Sequence, residues 1–180
     1  MITKNQADSI PVYCAFDEIV DIAQLVPNPR NPNTHNKKQI ELLAKIIKNQ
    51  GWRAPITVST RSGFIVRGHG RLMAAQLLGV SQVPVDRQEY ANEAAEWADL
   101  VADNRIAELS DMNPPMLMDL LHEIDSAVID MDLTGFDSAA MENLIVKFGV
   151  PDKEFKEYDE SVEKDVKFVV CPHCGGNVPV

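Results

Sequence analysis

The sequence predicts an α+β protein, in which a small mixed sheet with helices is followed by a helical segment and a short tail containing a cysteine pair. Strand-like and helix-like stretches alternate over the first 90 residues, whereas only helical periodicity occurs from residue 92 to residue 149. Residues 151–167 are charged at 11 of 17 positions, which is typical of a linker. The predicted parts are an α+β domain at 17–110, an acidic helical segment at 111–149, a charged linker at 150–168 and the tail at 169–180.

The first strand and the first helix are separated by a loop that excludes regular structure. Glu18–Ile22 has the pattern of a short strand. Pro27–Asn33 contains three prolines and three asparagines, which favour turns and exclude a helix or a central strand. Apolar residues then recur at helical spacing between residues 36 and 50, and Gly51 stands where a glycine commonly ends a helix.

A β-hairpin follows this helix. Pro55–Thr60 and Phe64–Arg67 are strand-like, and residues 61–63 join them as a turn. A tight turn that begins at Gly68 then leads into a helix at Leu72–Leu78.

One strand and three helices complete the prediction. Val83–Val85 is placed at an edge of the sheet, because Pro84 cannot donate a hydrogen bond to a neighbouring strand. Helices are predicted at residues 92–109, 114–124 and 137–148, with a proline in the first turn of the second and an aspartate cap on the third.

The charge is distributed unevenly along the chain. The net charge is −10, which argues against a general nucleic-acid binder. Between Ile22 and Val85, however, there are nine basic residues and one acidic residue, whereas residues 91–150 contain two basic and 13 acidic residues. This asymmetry indicates an anion-facing part beside a solvating or partner-facing part, the alternative being charge that has drifted in each half without a function.

Composition favours a cytoplasmic protein without a membrane partner. No apolar stretch of about 18 residues is present, so we expect no membrane span. The first 20 residues lack the basic start and apolar run of a secretory signal. Three cysteines without an even framework fit a reducing compartment.

The stretch with the clearest chemistry is Arg67-Gly68-His69-Gly70-Arg71. Two glycines allow the backbone to approach a ligand closely, and the N–H groups at the start of the next helix attract an anion. Arginines on both sides can bind phosphate oxygens bidentately. The pattern therefore predicts a phosphate site with residues 68–71 as ligands, the alternative being a tight turn with incidental charges.

Further assignments at the same predicted site concern His69, the pair Asp103 and Asn104, and Arg30, whereas His35 is not assigned to it. His69 has the chemistry of a general acid or base near neutral pH, although a histidine also serves as a simple hydrogen-bonding group. Asp103 with Asn104 can hold Mg²⁺ through oxygen ligands, or form a polar helix face. Arg30 is either a second phosphate ligand or a solvated loop residue. His35 shows no partner pattern and is expected to be an ordinary residue.

The tail contains "CPHCGG", from Cys171 to Gly176. Cys-x-x-Cys followed by glycine is one knuckle of a zinc ribbon, but a closed zinc site needs four ligands. Cys14 is the one other cysteine, so zinc at Cys171 and Cys174 requires a second chain and predicts a homodimer. The alternative is a knuckle that holds no metal.

Five pieces of the sequence occur in the order of a known family. They are "LVPNPRNPN", "IIKNQGWRAPITVS", "FIVRGHGRLMAAQLLG", "VPV" and "LVADNRIAEL". Residues 19–112 thereby resemble the N-terminal domain of the ParB/sulfiredoxin superfamily, in the branch common in phage and plasmid proteins. The resemblance covers slightly more than half of the chain and implies the α+β fold of that superfamily.

The resemblance implies a nucleotide site at the glycine turn. In ParB proteins this turn usually has the sequence GERR and holds the triphosphate of CTP. Gly68 and Arg71 match it, whereas His69 and Gly70 replace the glutamate and the first arginine. Because these two positions differ, the resemblance fixes neither which nucleotide is bound nor whether it is hydrolysed. CTP and ATP, each with Mg²⁺, are therefore both candidates.

Two further segments are similar to family segments. Asp103-Asn104-Arg105 partly matches one that contributes to metal and triphosphate contacts, which adds Asn104 and Arg105 to the implied ligands. The loop around Arg30 resembles the first box of the family, which also lines the nucleotide site. Sulfiredoxins carry a catalytic cysteine where this sequence has His69, so their redox chemistry is excluded.

These observations predict a ParB-like nucleotide-binding protein that acts in phage or plasmid DNA transactions, directly on DNA or through a partner protein. They leave open whether the nucleotide is hydrolysed, for which His69 and Asp103 are the candidate catalytic residues. Two alternatives remain: a non-catalytic adaptor that recruits a DNA-modifying or DNA-packaging partner, and a ParB-like nuclease. A nuclease needs clustered acidic metal ligands, and the basic half of the chain offers almost none. Residues 111–149 lack a clear helix-turn-helix pattern, which keeps the adaptor alternative open.

Overall fold

A computed structural model describes residues 6–127, 129–148, 168–170 and 177–179. The chain divides into two compact units, at residues 1–148 and 149–180. The first unit begins with two short antiparallel strands, β1 (Gln6–Ala7) and β2 (Ile10–Pro11). Among the described residues, no helix combines the length and the apolar character that a bilayer crossing requires.

The central sheet of the first unit has four strands. They are β3 (Glu18–Asp21), β4 (Ile56–Ser59), β5 (Ile65–Arg67) and β6 (Gln82–Gln88), in the spatial order β3-β6-β4-β5. β4 pairs with β6 in parallel, and the other two pairs are antiparallel. This arrangement confirms the predicted small mixed sheet and the predicted hairpin.

The predicted edge position of Val83–Val85 is wrong, because β6 lies between β3 and β4. The Ile22 amide donates to the Ser81 carbonyl at 2.8 Å, so alternate positions of the β3–β6 ladder are hydrogen-bonded. Pro84 pairs with Ile19 at one of the intervening positions, where its missing N–H costs no bond to β3. On the other side the register places Pro84 one residue before the β4 pairing begins.

Five α-helices accompany the sheet in the described residues. They are α1 (Lys37–Gln50), α2 (His69–Leu78), α3 (Glu93–Glu108), α4 (Pro114–Ser126) and α5 (Ser138–Phe148). Asparagine side chains cap α1, α3 and α4. α2 begins at His69, three residues before the predicted start.

The core lies where α1 and α2 pack on the sheet. The α1 residues Ile40, Ala44 and Ile47 are buried, as the helical spacing predicts. They belong to one apolar cluster with Ile56 of β4 and Val85 of β6. This packing fixes the point at which β5 ends and α2 begins.

The acidic segment contacts the basic surface of α1. Lys45 pairs with Asp130 at 2.8 Å and with Asp132 at 2.6 Å, and Lys38 pairs with Asp137 at 2.9 Å. These pairs are exposed, so each adds little stability, but together they bring the 130–137 segment against α1.

The second unit is described at two short strands, β7 (Phe168–Val170) and β8 (Asn177–Pro179), which pair antiparallel. Cys171 and Cys174 lie between them, outside the described residues. Most of the predicted linker at 150–168 also lies outside them. The zinc knuckle and the linker therefore stay predictions.

Candidate functional site

The glycine turn is the junction between β5 and α2. Gly68 stands at the N-cap of α2 with φ 93°, in the left-handed region that favours glycine. A Cβ at this position would lie 2.8 Å from Arg71 Nη1, so the absence of a side chain lets the arginine fold back over the turn. The backbone N–H groups at the start of α2 are thereby left uncovered by a capping side chain.

A cavity of about 200 Å³ opens at this turn. It brings all four turn residues together with two residues of α3. Its lining consists of Asn31, His35, Leu43, Val66, Arg67, Gly68, His69, Gly70, Arg71, Asp103 and Asn104. Six of the eight residues predicted for the nucleotide site thus share one cavity, although Asp103 comes 32 positions after Arg71 in the sequence.

Arg71 is a largely desolvated cation in the wall of this cavity. Its Nη1 donates to the Pro55 carbonyl at 2.9 Å. Burial lowers the pKa of Arg71, and the charge of Asp103 opposes this shift only in part. Within the described residues Arg71 forms no ion pair, so its positive charge is available to an anion in the cavity.

Arg67 directly precedes the turn, as the last residue of β5, and is paired with carboxylates of α3. Its Nε donates to Asp99 Oδ2 at 3.1 Å, its Nη2 donates to Asp99 Oδ1, and Asp103 Oδ1 lies 3.7 Å from Nε. The Tyr90 hydroxyl also donates to Asp99 Oδ2, at 2.7 Å. Burial raises the pKa of Asp99, but the hydrogen bonds from Arg67 and Tyr90 outweigh it and lower the pKa overall.

His69 connects the turn to the proline-rich loop. Its Nε2 accepts a hydrogen bond from the Asn28 backbone N–H at 3.1 Å. Burial, followed by the nearby His35, lowers the pKa of His69, which favours the neutral ring. Because Nε2 accepts, the ring proton is assigned to Nδ1. The geometry gives His69 a role in holding the loop, and its catalytic role stays a prediction.

Two predicted phosphate ligands lie outside the cavity lining. The Arg30 guanidinium stacks over the Trp97 ring of α3, with its carbon 4.0 Å from the ring centroid. Arg105 pairs with Glu108 on the exposed surface of α3, at 2.6 Å. One residue of helical rotation separates Arg105 from Asn104, which is enough to direct it away from the cavity.

His35 belongs to the site although no sequence pattern indicated it. A Cβ at Gly70 would lie 3.3 Å from His35 Cε1, so the glycine lets the imidazole approach the backbone of the turn. Asn31 and Arg67 join it in the lining. The prolines and asparagines of the loop were the available signal for Asn31, whereas His35 required knowledge of how α1 packs on α2.

A second cavity of about 410 Å³ adjoins the first, and the two share Asn31, His35 and His69. Asn28 also lines the second cavity and is 5% exposed. Its Oδ1 accepts from the Arg30 N–H at 2.9 Å, but its buried Nδ2 has no hydrogen-bond partner among the residues that the structure describes. A buried unpaired donor is costly, so this amide favours an acceptor supplied from the cavity.

The groups that could hold a metal are sparse. Asp103 is exposed, and Asn104 donates its Nδ2 to the Leu100 carbonyl at 2.9 Å, which leaves its Oδ1 available. The described part of the chain contains no cluster of three or more histidine, cysteine, aspartate or glutamate residues suited to a metal ion. Mg²⁺ keeps waters and phosphate oxygens as ligands, so one or two protein oxygens fit a nucleotide-bound ion.

A cavity of about 260 Å³ between α1 and the 132–137 segment contains none of the predicted site residues. It is lined in part by the paired Lys38, Lys45, Asp132 and Asp137. Its charges are thus already compensated, unlike that of Arg71.

Comparison with known proteins shows which family the chain is similar to. The model of the family described as the ParB N-terminal domain matches residues 4–104. The ParB-like nuclease domain-containing protein YnaK of Escherichia coli (strain K12) is 39% identical over 64 residues, which are 36% of this chain and 72% of that protein.

A solved structure shares the fold. It is the crystal structure of the C-terminally truncated chromosome-partitioning protein ParB from Caulobacter crescentus complexed with CTP-gamma-S. The TM-score is 0.59 at 23% identity, over 75% of this chain and 79% of that chain. At this identity the likeness shows the shared fold alone. The ligand of the present chain has to be inferred from its own residues.

Proposed function

This chain belongs to the ParB N-terminal domain family, and from that premise we propose that it binds a nucleoside triphosphate at the glycine turn. One observation carries the proposal: the cavity at the start of α2 combines uncovered backbone N–H groups with the largely desolvated charge of Arg71, which has no ion-pair partner in the described part of the chain. Both features stabilise an anion, and a cation in a poorly solvated wall interacts with it more strongly than in water.

The nucleoside is assigned to the adjoining cavity. A triphosphate at the turn continues past His35 and His69, which the two cavities share. There the Asn28 amide offers a donor to an acceptor atom of the base. CTP is the first candidate, because the Caulobacter protein of the same fold is complexed with a CTP analogue, and ATP is the second.

Magnesium fits this arrangement through Asp103 and the Asn104 Oδ1. When bound, the ion would neutralise charge on the phosphate chain. Asp103 and Asn104 would orient it from α3, and Arg71 would hold the phosphates from α2. Hydrolysis is a finer proposal: His69 would serve as a base only if Nε2 were released from the Asn28 N–H.

The cellular role proposed is in phage or plasmid DNA transactions, with DNA reached through a partner protein. The 13 acidic and two basic residues between 91 and 150 repel DNA phosphates, which supports indirect contact. They also support the adaptor role, as do the exposed apolar side chains of this region, among them Ile106, Leu109, Met112, Met116 and Leu120. A cysteine pair that binds zinc across two chains would make this adaptor dimeric.

Calorimetric titration of the full chain with CTP, ATP, GTP and UTP, each with Mg²⁺, tests the proposal. We expect saturable binding of at least one nucleotide, which Arg71→Ala weakens about tenfold or more because a charged hydrogen bond is lost. Arg105→Ala is the matched control, since that arginine lies outside the cavity. Equal affinities of Arg71→Ala and wild type would refute the phosphate site at the turn.

A further inference from the structure

The pair formed by Arg67 and Asp99 stands at the wall of the turn cavity, and phosphate binding by Arg71 does not account for it. Arg67 lines the cavity and its side chain is 43% exposed, whereas that of Asp99 is 23% exposed. Two hydrogen bonds join the guanidinium to the carboxylate, with Asp103 close by. A cation that lines an anion site is thus neutralised by carboxylates from α3.

The two arginines of the turn differ in their freedom to move. Arg71 is fixed by burial and by its hydrogen bond to the Pro55 carbonyl. Arg67 is half exposed, so water and an incoming anion can both reach the guanidinium while it is paired with Asp99. Asp99 keeps the hydrogen bond from Tyr90 when Arg67 leaves, which offsets part of the penalty for the carboxylate.

We propose that Arg67 is an exchangeable phosphate ligand, stored against Asp99 in the free protein and drawn onto phosphate oxygens by a polyphosphate chain. The inference rests on the proposed function and specifies how its site selects a ligand. A guanidinium binds carboxylate and phosphate with the same bidentate geometry, so the two compete directly. Orthophosphate carries few charges with which to compete against Asp99 and Asp103 for the Arg67 guanidinium. A triphosphate presents several oxygens along the cavity and competes better. The pair therefore favours polyphosphates.

A double-mutant cycle tests the exchange, with inorganic tripolyphosphate as the probe and no Mg²⁺ present. Arg67→Ala lowers the affinity of the full chain about tenfold or more. Asp99→Asn releases Arg67 and raises the affinity by up to about fivefold. The double variant matches Arg67→Ala, because Asp99 acts through Arg67. Glu108→Gln, on the same helix but outside the cavity, controls for the loss of one negative charge.

A spectroscopic measurement reports the exchange without relying on affinity. The Nε–H resonance of Arg67 shifts when wild type binds tripolyphosphate, and in Asp99→Asn it starts closer to the bound position. Orthophosphate at the same concentration leaves it unmoved in wild type.

The outcomes separate this inference from the proposed function. Additive effects of the two substitutions, or an Arg67 resonance that does not respond, overturn the exchange. If Arg71→Ala still weakens tripolyphosphate binding in that case, the phosphate site itself stands. Failure of wild type and Asp99→Asn alike to bind tripolyphosphate or any nucleotide overturns both.

Discussion

The Glu96 carboxylate holds α3 against the β4–β5 hairpin and so determines where Asp103 stands. It is 1% exposed and accepts hydrogen bonds from Ser59 Oγ at 2.6 Å and Ser62 Oγ at 2.7 Å. Arg61 Nε donates a third, at 3.1 Å. All three donors belong to the hairpin, so one side chain joins two parts of the fold.

Replacement Glu96→Ala is expected to destabilise the protein by about 3 kcal/mol. Removing one partner of a buried charged network costs roughly 3–5 kcal/mol, and the lower end applies because the Arg61 side chain keeps contact with solvent. Urea denaturation at pH 7 measures the loss. Glu93→Ala is the matched control, since this exposed glutamate lies in the same helical turn and its loss should cost less than about 1 kcal/mol.

The same interaction predicts a pH dependence. Burial raises the pKa of Glu96, but the hydrogen bonds from Ser59 and Ser62 and the charge of Arg61 outweigh it, so the pKa is lowered overall. A carboxyl whose pKa is lower in the folded protein contributes stability above its unfolded pKa, and this contribution is lost as the pH falls through the folded value. The difference between wild type and Glu96→Ala should therefore shrink from pH 7 to about pH 3. A loss below about 1 kcal/mol at pH 7, or equal losses at both pH values, would refute this reasoning.

Three further outcomes are expected. His69→Ala leaves the Asn28 N–H without its acceptor and should destabilise the protein by about 1–2 kcal/mol in urea denaturation, whereas His69→Gln should recover part of the loss; equal losses would contradict the hydrogen-bonding role. Asn28→Asp should weaken nucleotide binding about tenfold in calorimetry. It should weaken tripolyphosphate binding no more than Asn33→Asp does, since both aspartates add one charge to the same cavity. Equal nucleotide affinities of the two variants would show that the Asn28 amide does not contact the base. Zinc analysis with sedimentation should give about half a zinc per chain in a dimer through Cys171 and Cys174, from the count of four thiolate ligands, and one zinc in a monomer would contradict it.

The parts of the fold that depend on local patterns were predictable from the sequence. The spacing of Ile40, Ala44 and Ile47 predicted α1, and the residues between Pro55 and Arg67 predicted the hairpin. The edge position of Pro84 was wrong, because a proline excludes a central strand only where its N–H would be needed. That condition depends on the register with β3 and β4, which the sequence does not contain.

The candidate site was predictable to the extent that its chemistry lies in one short stretch. Two glycines beside Arg71 indicated an anion site, and the oxygen atoms of Asp103 and Asn104 indicated a place for Mg²⁺. Arg30 and Arg105 were assigned to the site by analogy with ParB proteins. Their observed partners are Trp97 and Glu108, which contact them only once α3 has folded. The pairing of Asp99 with Arg67 likewise forms only once α3 has folded against the turn.

Amide resonances recorded during a titration with CTP and Mg²⁺ test the central claim most directly, because they report where the ligand binds as well as whether it binds. We predict saturable shifts for the backbone amides of Gly68 to Arg71 and of His35, with smaller changes in the 132–137 segment. Shifts confined to the cavity between α1 and the 132–137 segment, or none at saturating CTP and at saturating ATP, would contradict a nucleotide site at the glycine turn.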